Sequence, residues 1–141
     1  MPAPLAPGIS WHHIHPILVN FTAALVPASV VSDLLGKVTR NMSLTYAGWW
    51  ALLYAAIVTP GTALAGWLWR QEIGDGLPLE TIERHQHGGV VLAIALIALA
   101  GWRSRIHVRD QQPGRLYFMA ALVAIATLVY QGILGGRLVF G

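Results

Sequence analysis

The sequence predicts an all-α integral membrane protein, a four-helix up-down-up-down bundle. The chain has 141 residues, of which 55% are hydrophobic and only 11% are charged, whereas a soluble domain has roughly 25% charged residues. Four apolar runs approach the ~20 residues that are needed to cross about 30 Å of hydrocarbon. A soluble bundle with four such runs would need far more polar surface. We therefore expect a single transmembrane domain over residues 1–141, in contact with the lipid bilayer.

The first helix is predicted at about residues 15–36, because Pro16 suits the first turn of a helix and Gly36 follows the apolar run. The second is predicted at about residues 45–69. Pro60 lies near its middle and is expected to kink it, since proline removes an internal hydrogen bond and crowds the preceding turn.

The third helix is predicted at about residues 82–102, a span that includes a polar first turn with two histidines. The fourth is predicted at about residues 116–136, where it stops at a pair of glycines. Turn formers fill the second loop between Gly74 and Pro78, and the Pro/Ala-rich residues 1–10 are expected to be extended. The short connections place consecutive helices antiparallel.

Charged residues are distributed unevenly between the two ends of the predicted bundle. The first and third loops are basic, with Lys37, Arg40, Arg103, Arg105, Arg109 and Arg115. The second loop holds most of the acidic residues, namely Glu72, Asp75, Glu80 and Glu83. The positive-inside rule then places the basic loops in the cytoplasm and both termini on the outer, periplasmic side of a bacterial inner membrane. This placement also argues against a nucleic-acid partner, despite a pI near 9.8.

Five of the six histidines lie in two clusters, each just before an apolar run: His12, His13 and His15 in WHHIHP, and His85 and His87 in ERHQHGG. Both clusters should lie at the same face of the membrane. Imidazole is costly in hydrocarbon and is the usual side-chain ligand for iron, copper and zinc. The chain has no cysteine, which excludes thiolate ligands, iron–sulfur clusters and covalently attached c-type haem.

Helical geometry selects one histidine from each cluster. Residues two apart on a helix point about 200° away from each other, so only one of each pair can face the core. We choose His15 and His85 as the ligands and keep His13 and His87 as a reserve pair. Two imidazoles from different helices of a bundle are the ligand set of a b-type haem. The sequence therefore predicts a haem b site.

Other residues near these clusters are predicted to support the haem. Arg84 and Arg137 would bind the propionates, since guanidinium groups pair well with carboxylates. The remaining candidates would make room for the macrocycle or fix the imidazole tautomers, and they are Gly88, Gly89, Asn20 and Gln131. Elsewhere, Asp33 is expected to pair with Lys37 one turn later, and His107 is expected to be solvated in the third loop.

Three motifs resemble a known family. They are HPILVNF…AAL…SDLL at residues 15–35, the Arg84-His85 pair that opens the third helix, and GGRLVFG at residues 135–141. The family consists of small four-helix bacterial membrane proteins, and it is the domain of unknown function numbered 2231. The matching positions are His15, Pro16, Phe21, Asp33, His85, Gly135, Gly136, Leu138 and Val139. An acid common near the end of the second helix is replaced here by Leu68 or Trp69. Some members are joined to, or lie beside, Rieske-type iron–sulfur domains, so the resemblance implies a redox partner.

The leading hypothesis is a haem-containing electron-transfer subunit that passes electrons between a periplasmic partner and quinone or another redox protein. A second hypothesis is a copper or zinc site, and a third is a cofactor-free scaffold subunit of a larger membrane complex. An independent enzyme is not expected, because the sequence shows no nucleophile–base pair, phosphate-binding loop or carboxylate dyad. The sequence leaves open whether the chain forms a homo-oligomer.

Overall fold

The computed structural model describes residues 9–73 and 79–140, and in this part the chain forms four helices. They are α1 (Trp11–Thr39), α2 (Met42–Ile73), α3 (Leu79–Val108) and α4 (Arg115–Phe140). All four are long and apolar enough to cross a membrane, which confirms the all-α membrane bundle. Each helix contains its predicted span and extends beyond it. The predicted turn residues 74–78 and the first eight residues of the predicted extended segment lie outside the described residues.

Helix α1 begins earlier than expected because Ser10 caps it. The Ser10 side chain accepts a hydrogen bond from the backbone of His12, and His13 completes a capping box. The same hydroxyl donates to Glu72 Oε2 at 2.5 Å, which ties the start of α1 to the end of α2. His12 and His13, which precede the predicted span, therefore lie inside α1 together with His15. The helix also continues through its two prolines without a break.

The helices pack in chain order around one core. Helix α1 packs closely on α2, α2 packs on α3 and α3 packs on α4, whereas α4 touches α1 at few points. Helices α1 and α3 are therefore diagonal across the bundle. The α1–α2 pair is tight because small residues meet there: a Cβ on Gly48 would lie 2.6 Å from Asp33 Oδ1 and 2.9 Å from the Ser29 carbonyl oxygen. The centre of the core holds apolar side chains such as Val26, Leu52 and Leu96.

The structure corrects the expected partner of Asp33. Arg103 lies within α3 and donates from Nε and Nη2 to the two oxygens of Asp33, at 2.9 and 2.8 Å. Both side chains are 0% exposed, and Tyr117 of α4 also donates to Asp33. Lys37 instead donates to the carbonyl oxygen of Pro113 at 2.6 Å. The planar guanidinium forms two parallel hydrogen bonds to the carboxylate, which a lysine cannot do.

His107 also lies inside α3, where the sequence predicted a solvated loop residue. Its ring stacks on Trp49 of α2, with centroids 3.8 Å apart and planes 19° apart. We call this end of the bundle, which contains Arg103 and His107, the arginine end. The opposite end, where α1 and α3 begin, is the histidine end.

Candidate functional site

His15 and His85 meet in the core at the histidine end. They project from the diagonal helices α1 and α3, and their ring centroids lie 6.2 Å apart with planes at 86°. His15 is 9% exposed, and His85 is half-buried. The structure thus brings together the two imidazoles that the sequence selected from the two clusters.

A shared spacing explains why these two histidines face each other. Eighteen residues separate His15 from Asp33 on α1, and eighteen separate His85 from Arg103 on α3. Eighteen residues are five full turns, so each histidine lies on the same helix face as its partner in the ion pair, about 27 Å along the axis. One face of each diagonal helix therefore carries a histidine at one end of the core and an ion-pair residue at the other.

The His15 ring is held by α2. Its Nδ1 atom lies 3.0 Å from the carbonyl oxygen of Thr62. A carbonyl can only accept, so Nδ1 carries the proton and the lone pair is on Nε2. This is the arrangement in which a histidine binds a metal through Nε2. Gly66 lies against the ring, because a Cβ there would come within 2.9 Å of Cε1. Trp69 lies beside it at a centroid distance of 5.7 Å.

The His85 ring packs on α4. A Cβ on Gly135 would lie 3.1 Å from His85 Cε1. The backbone of Gln131 lies near the ring, but His85 Nδ1 has no partner within hydrogen-bond geometry. Gly88, one turn further along α3, faces the Gln131 side chain so closely that a Cβ would overlap its amide. Each ring is thus bordered by a glycine from the neighbouring helix.

Unsatisfied polar atoms concentrate around this histidine pair. Within the described residues, four buried side-chain atoms have no hydrogen-bond partner. Three of them belong to the histidine end: Trp11 Nε1, His85 Nδ1 and Gln131 Oε1. Buried polar atoms are nearly always paired with protein, water or a ligand. In addition to the imidazoles, this end of the core therefore offers one unpaired donor, Trp11 Nε1, and one unpaired acceptor, Gln131 Oε1.

Four other predicted site residues have different surroundings. Gly89 has open space at its Cβ position. Asn20 lies on the exposed side of α1 rather than beside His15. Arg84 is exposed and pairs with Glu80 at 2.6 Å, and Arg137 is exposed at the end of α4.

The reserve histidines do not join the pair. His13 is exposed and takes part in the cap of α1. His87 is exposed, and its Nδ1 lies 2.8 Å from the Glu83 carbonyl oxygen. Across residues 9–73 and 79–140, no group of three or more His, Asp or Glu side chains could hold a metal ion. The site therefore offers two imidazole ligands and not a larger cluster.

In the number of ligands that it offers, the histidine pair suits a haem iron better than a bare ion. Two imidazoles on one metal have ring centroids roughly 6 Å apart, since each metal–nitrogen bond is about 2.0–2.1 Å, and the observed distance is 6.2 Å. Zinc takes three or four protein ligands, whereas haem iron needs only its axial ligands from the protein. The macrocycle would require α2 and α4 to move apart, because Gly66 and Gly135 contact the two rings.

Sequence reasoning did not find the contacts that α2 and α4 make with the rings. Thr62, Gly66 and Gly135 contact the histidines from the neighbouring helices. The glycine content of these helices was a usable signal, because small residues allow close packing in membranes. It did not indicate which glycine faces which ring, since the relative depth and rotation of two helices depend on packing.

Comparison with known proteins identifies a matching family. The family model described as "Predicted membrane protein (DUF2231)" matches residues 11–141. The comparison with curated proteins and the comparison with solved structures each found no match.

Proposed function

The chain belongs to the DUF2231 family of predicted membrane proteins, and from this premise we propose that it is a membrane-embedded b-type haem electron-transfer subunit. The observation that carries the proposal is the convergence of His15 and His85 from diagonal helices, 6.2 Å apart. The unpaired polar atoms around them support it, because such atoms call for a ligand or water.

Each residue at the histidine end has a role in this proposal. His15 and His85 would hold the haem iron through their imidazoles, and the Thr62 carbonyl oxygen keeps His15 in the tautomer that frees Nε2. Trp11 Nε1 and the guanidinium groups of Arg84 and Arg137 would donate hydrogen bonds to the propionates. When bound, the haem iron supplies one-electron transfer between its ferric and ferrous states. The protein binds it, orients it and shields it from water.

The charge distribution sets the orientation in this proposal. The basic residues at the arginine end support a cytoplasmic position for that end, according to the positive-inside rule. The histidine end then faces the periplasm of a bacterial inner membrane. A redox partner of the Rieske type would dock there, and quinone or a second redox protein would exchange electrons with the same haem.

Haem and metal content test the proposal. The protein is purified from haem-replete cells, and its haem, iron, copper and zinc are measured per chain. We expect haem in the wild type and in His87→Ala, whose ring is exposed, and at least a tenfold loss, about 1.4 kcal/mol, in His15→Ala and His85→Ala. Wild-type protein that contains neither haem nor iron above the background level would overturn the proposal.

A copper or zinc ion is the second candidate. The observation that favours it is the close contact of Gly66 and Gly135 with the two rings, since an ion could bind there without any movement of α2 and α4. The same analysis distinguishes the candidates: copper or zinc at one per chain, lost in His15→Ala, would support the ion. The third candidate, a cofactor-free scaffold subunit, predicts neither haem nor metal.

A further inference from the structure

Asn20 carries an amide side chain on the exposed face of a membrane-spanning helix. It lies nine residues from the start of α1, about 13 Å along a helix of roughly 43 Å, and so within the hydrocarbon layer of about 30 Å. In the described part of the chain, Asn20 forms no side-chain hydrogen bond. An unpaired amide is costly in hydrocarbon because no water replaces the missing bond. Asn20 therefore needs a partner from outside the chain.

A second polar atom lies one turn further along α1. Helix α1 continues through Pro27, and proline has no N–H to donate. The carbonyl oxygen of Ala23, four residues before Pro27, therefore lacks its usual helical donor. Ala23 is exposed.

The exposed residues around Asn20 follow the spacing of one helix face. Asn20, Ala24, Pro27 and Val31 recur at the i, i+4, i+7, i+11 spacing of one side of a helix, and each is exposed or half-buried. We call these four residues the Asn20 face. Its Ala24 is small, which allows a second helix to approach closely at this point. Helix α1 packs mainly on α2, so the other helices of the bundle leave this face uncovered.

We propose that the Asn20 face is the interface of a homodimer. A twofold axis along the membrane normal pairs two parallel α1 helices and sets Asn20 directly opposite the same residue of the second copy. An amide is both donor and acceptor, so the pair is self-complementary, as a twofold interface requires. A single asparagine in an apolar helix seam also fixes the register of the two helices. Because this axis keeps each residue at its own depth in the membrane, a second copy presents its Asn20 amide at the depth of the first.

Single-cysteine cross-linking tests this interface, and the natural absence of cysteine makes the experiment direct. In native membranes treated with a mild oxidant, Ala24→Cys should form a disulfide-linked dimer of twice the chain mass. Ile57→Cys is the matched control, because it lies on α2 and is 72% exposed. Its cross-linking should stay at the level of random collision.

A second variant tests the role of the amide. In the Ala24→Cys background, Asn20→Leu should weaken dimerisation roughly tenfold, about 1.4 kcal/mol, which is the scale of interhelical hydrogen bonds in membranes. Asn20→Gln keeps an amide and should retain most of the cross-linking. Asn20 is exposed in the single chain, so helix content measured by circular dichroism should stay the same in both variants.

Three results would overturn the homodimer. One is equal cross-linking at Ala24→Cys and Ile57→Cys. Another is cross-linking of Ala24→Cys to a protein of different mass, which would assign the face to a different subunit. The third is unchanged dimerisation in Asn20→Leu with intact helix content.

Discussion

At the scale of single residues, the positions of the two imidazole rings depend on glycines in the neighbouring helices. Gly66 lies against His15, and Gly135 lies against His85. A methyl group at Gly66 would come within 2.9 Å of His15 Cε1 and 3.0 Å of Nδ1, so the ring would have to move. The position of each imidazole is therefore set by a helix other than the one that carries it.

Gly66→Ala should lower the free energy of unfolding by about 1–3 kcal/mol, because the added methyl group overpacks the contact with the His15 ring. Helix content should not fall, since alanine is a better helix former than glycine. Thermal unfolding of the purified protein measures the effect. Gly101→Ala is the control, because its Cβ would have open space. Equal stability of Gly66→Ala and Gly101→Ala would show that the His15 ring does not depend on the space left by Gly66.

The ion pair at the arginine end makes a separate prediction about stability. Arg103→Leu leaves the Asp33 carboxylate buried without its partner, and breaking such a pair costs about 3–5 kcal/mol. Thermal unfolding in detergent, followed by circular dichroism, should show a large drop in the midpoint. The exposed Arg105→Leu should have little effect. Asp33→Leu combined with Arg103→Leu should recover most of the loss, and a double variant as unstable as Arg103→Leu would contradict this account.

At the scale of the helices, the start of α1 is fixed by one hydroxyl with two roles. Ser10 caps the helix and donates to Glu72 at the end of α2. Both contacts hold the first turn of α1, which leads directly to His15.

Ser10→Ala should remove both contacts and cost about 1 kcal/mol at this helix end. Hydrogen exchange of the first-turn amides of α1 should then become faster, while exchange near Val26 in the core stays the same. Ser43→Ala provides a comparison, because the Ser43 hydroxyl forms no hydrogen bond within the described residues. Unchanged exchange in Ser10→Ala would mean that other contacts hold this end of the helix.

The number and type of the helices could be predicted from the sequence, because four apolar runs of membrane length leave few alternatives. The helix ends could not. Arg103 was assigned to a loop because charge is rare within membrane spans, and its buried partner Asp33 is distant in sequence. Helical geometry did select His15 and His85. The same geometry, applied to Asn20, places it about 140° around α1 from His15, which agrees with its exposed position.

At the scale of the whole molecule, the bundle is polarised from end to end. The histidine pair lies at one end, together with three of the four buried side-chain atoms that lack a partner in the described residues, and the buried ion pair lies at the other end. Basic residues are concentrated near the ion pair. This polarity is what the proposed orientation in the membrane depends on.

Thiol labelling in intact cells should report this orientation. Val108→Cys, 79% exposed at the arginine end, should react with a membrane-impermeant maleimide only after the inner membrane is permeabilised. His12→Cys, exposed at the histidine end, should react without permeabilisation of that membrane. The reversed pattern would place the histidine pair on the cytoplasmic side and exclude a periplasmic electron donor.

The central claim is that the imidazoles of His15 and His85 bind the same iron. The reduced-minus-oxidised absorption spectrum of purified wild type, His15→Ala, His85→Ala and His87→Ala tests it most directly. We predict the sharp α-band of a six-coordinate haem in wild type and His87→Ala, and a lost or altered band in each of the other two variants. A colourless wild type, or one spectrum shared by all four proteins, would contradict the claim.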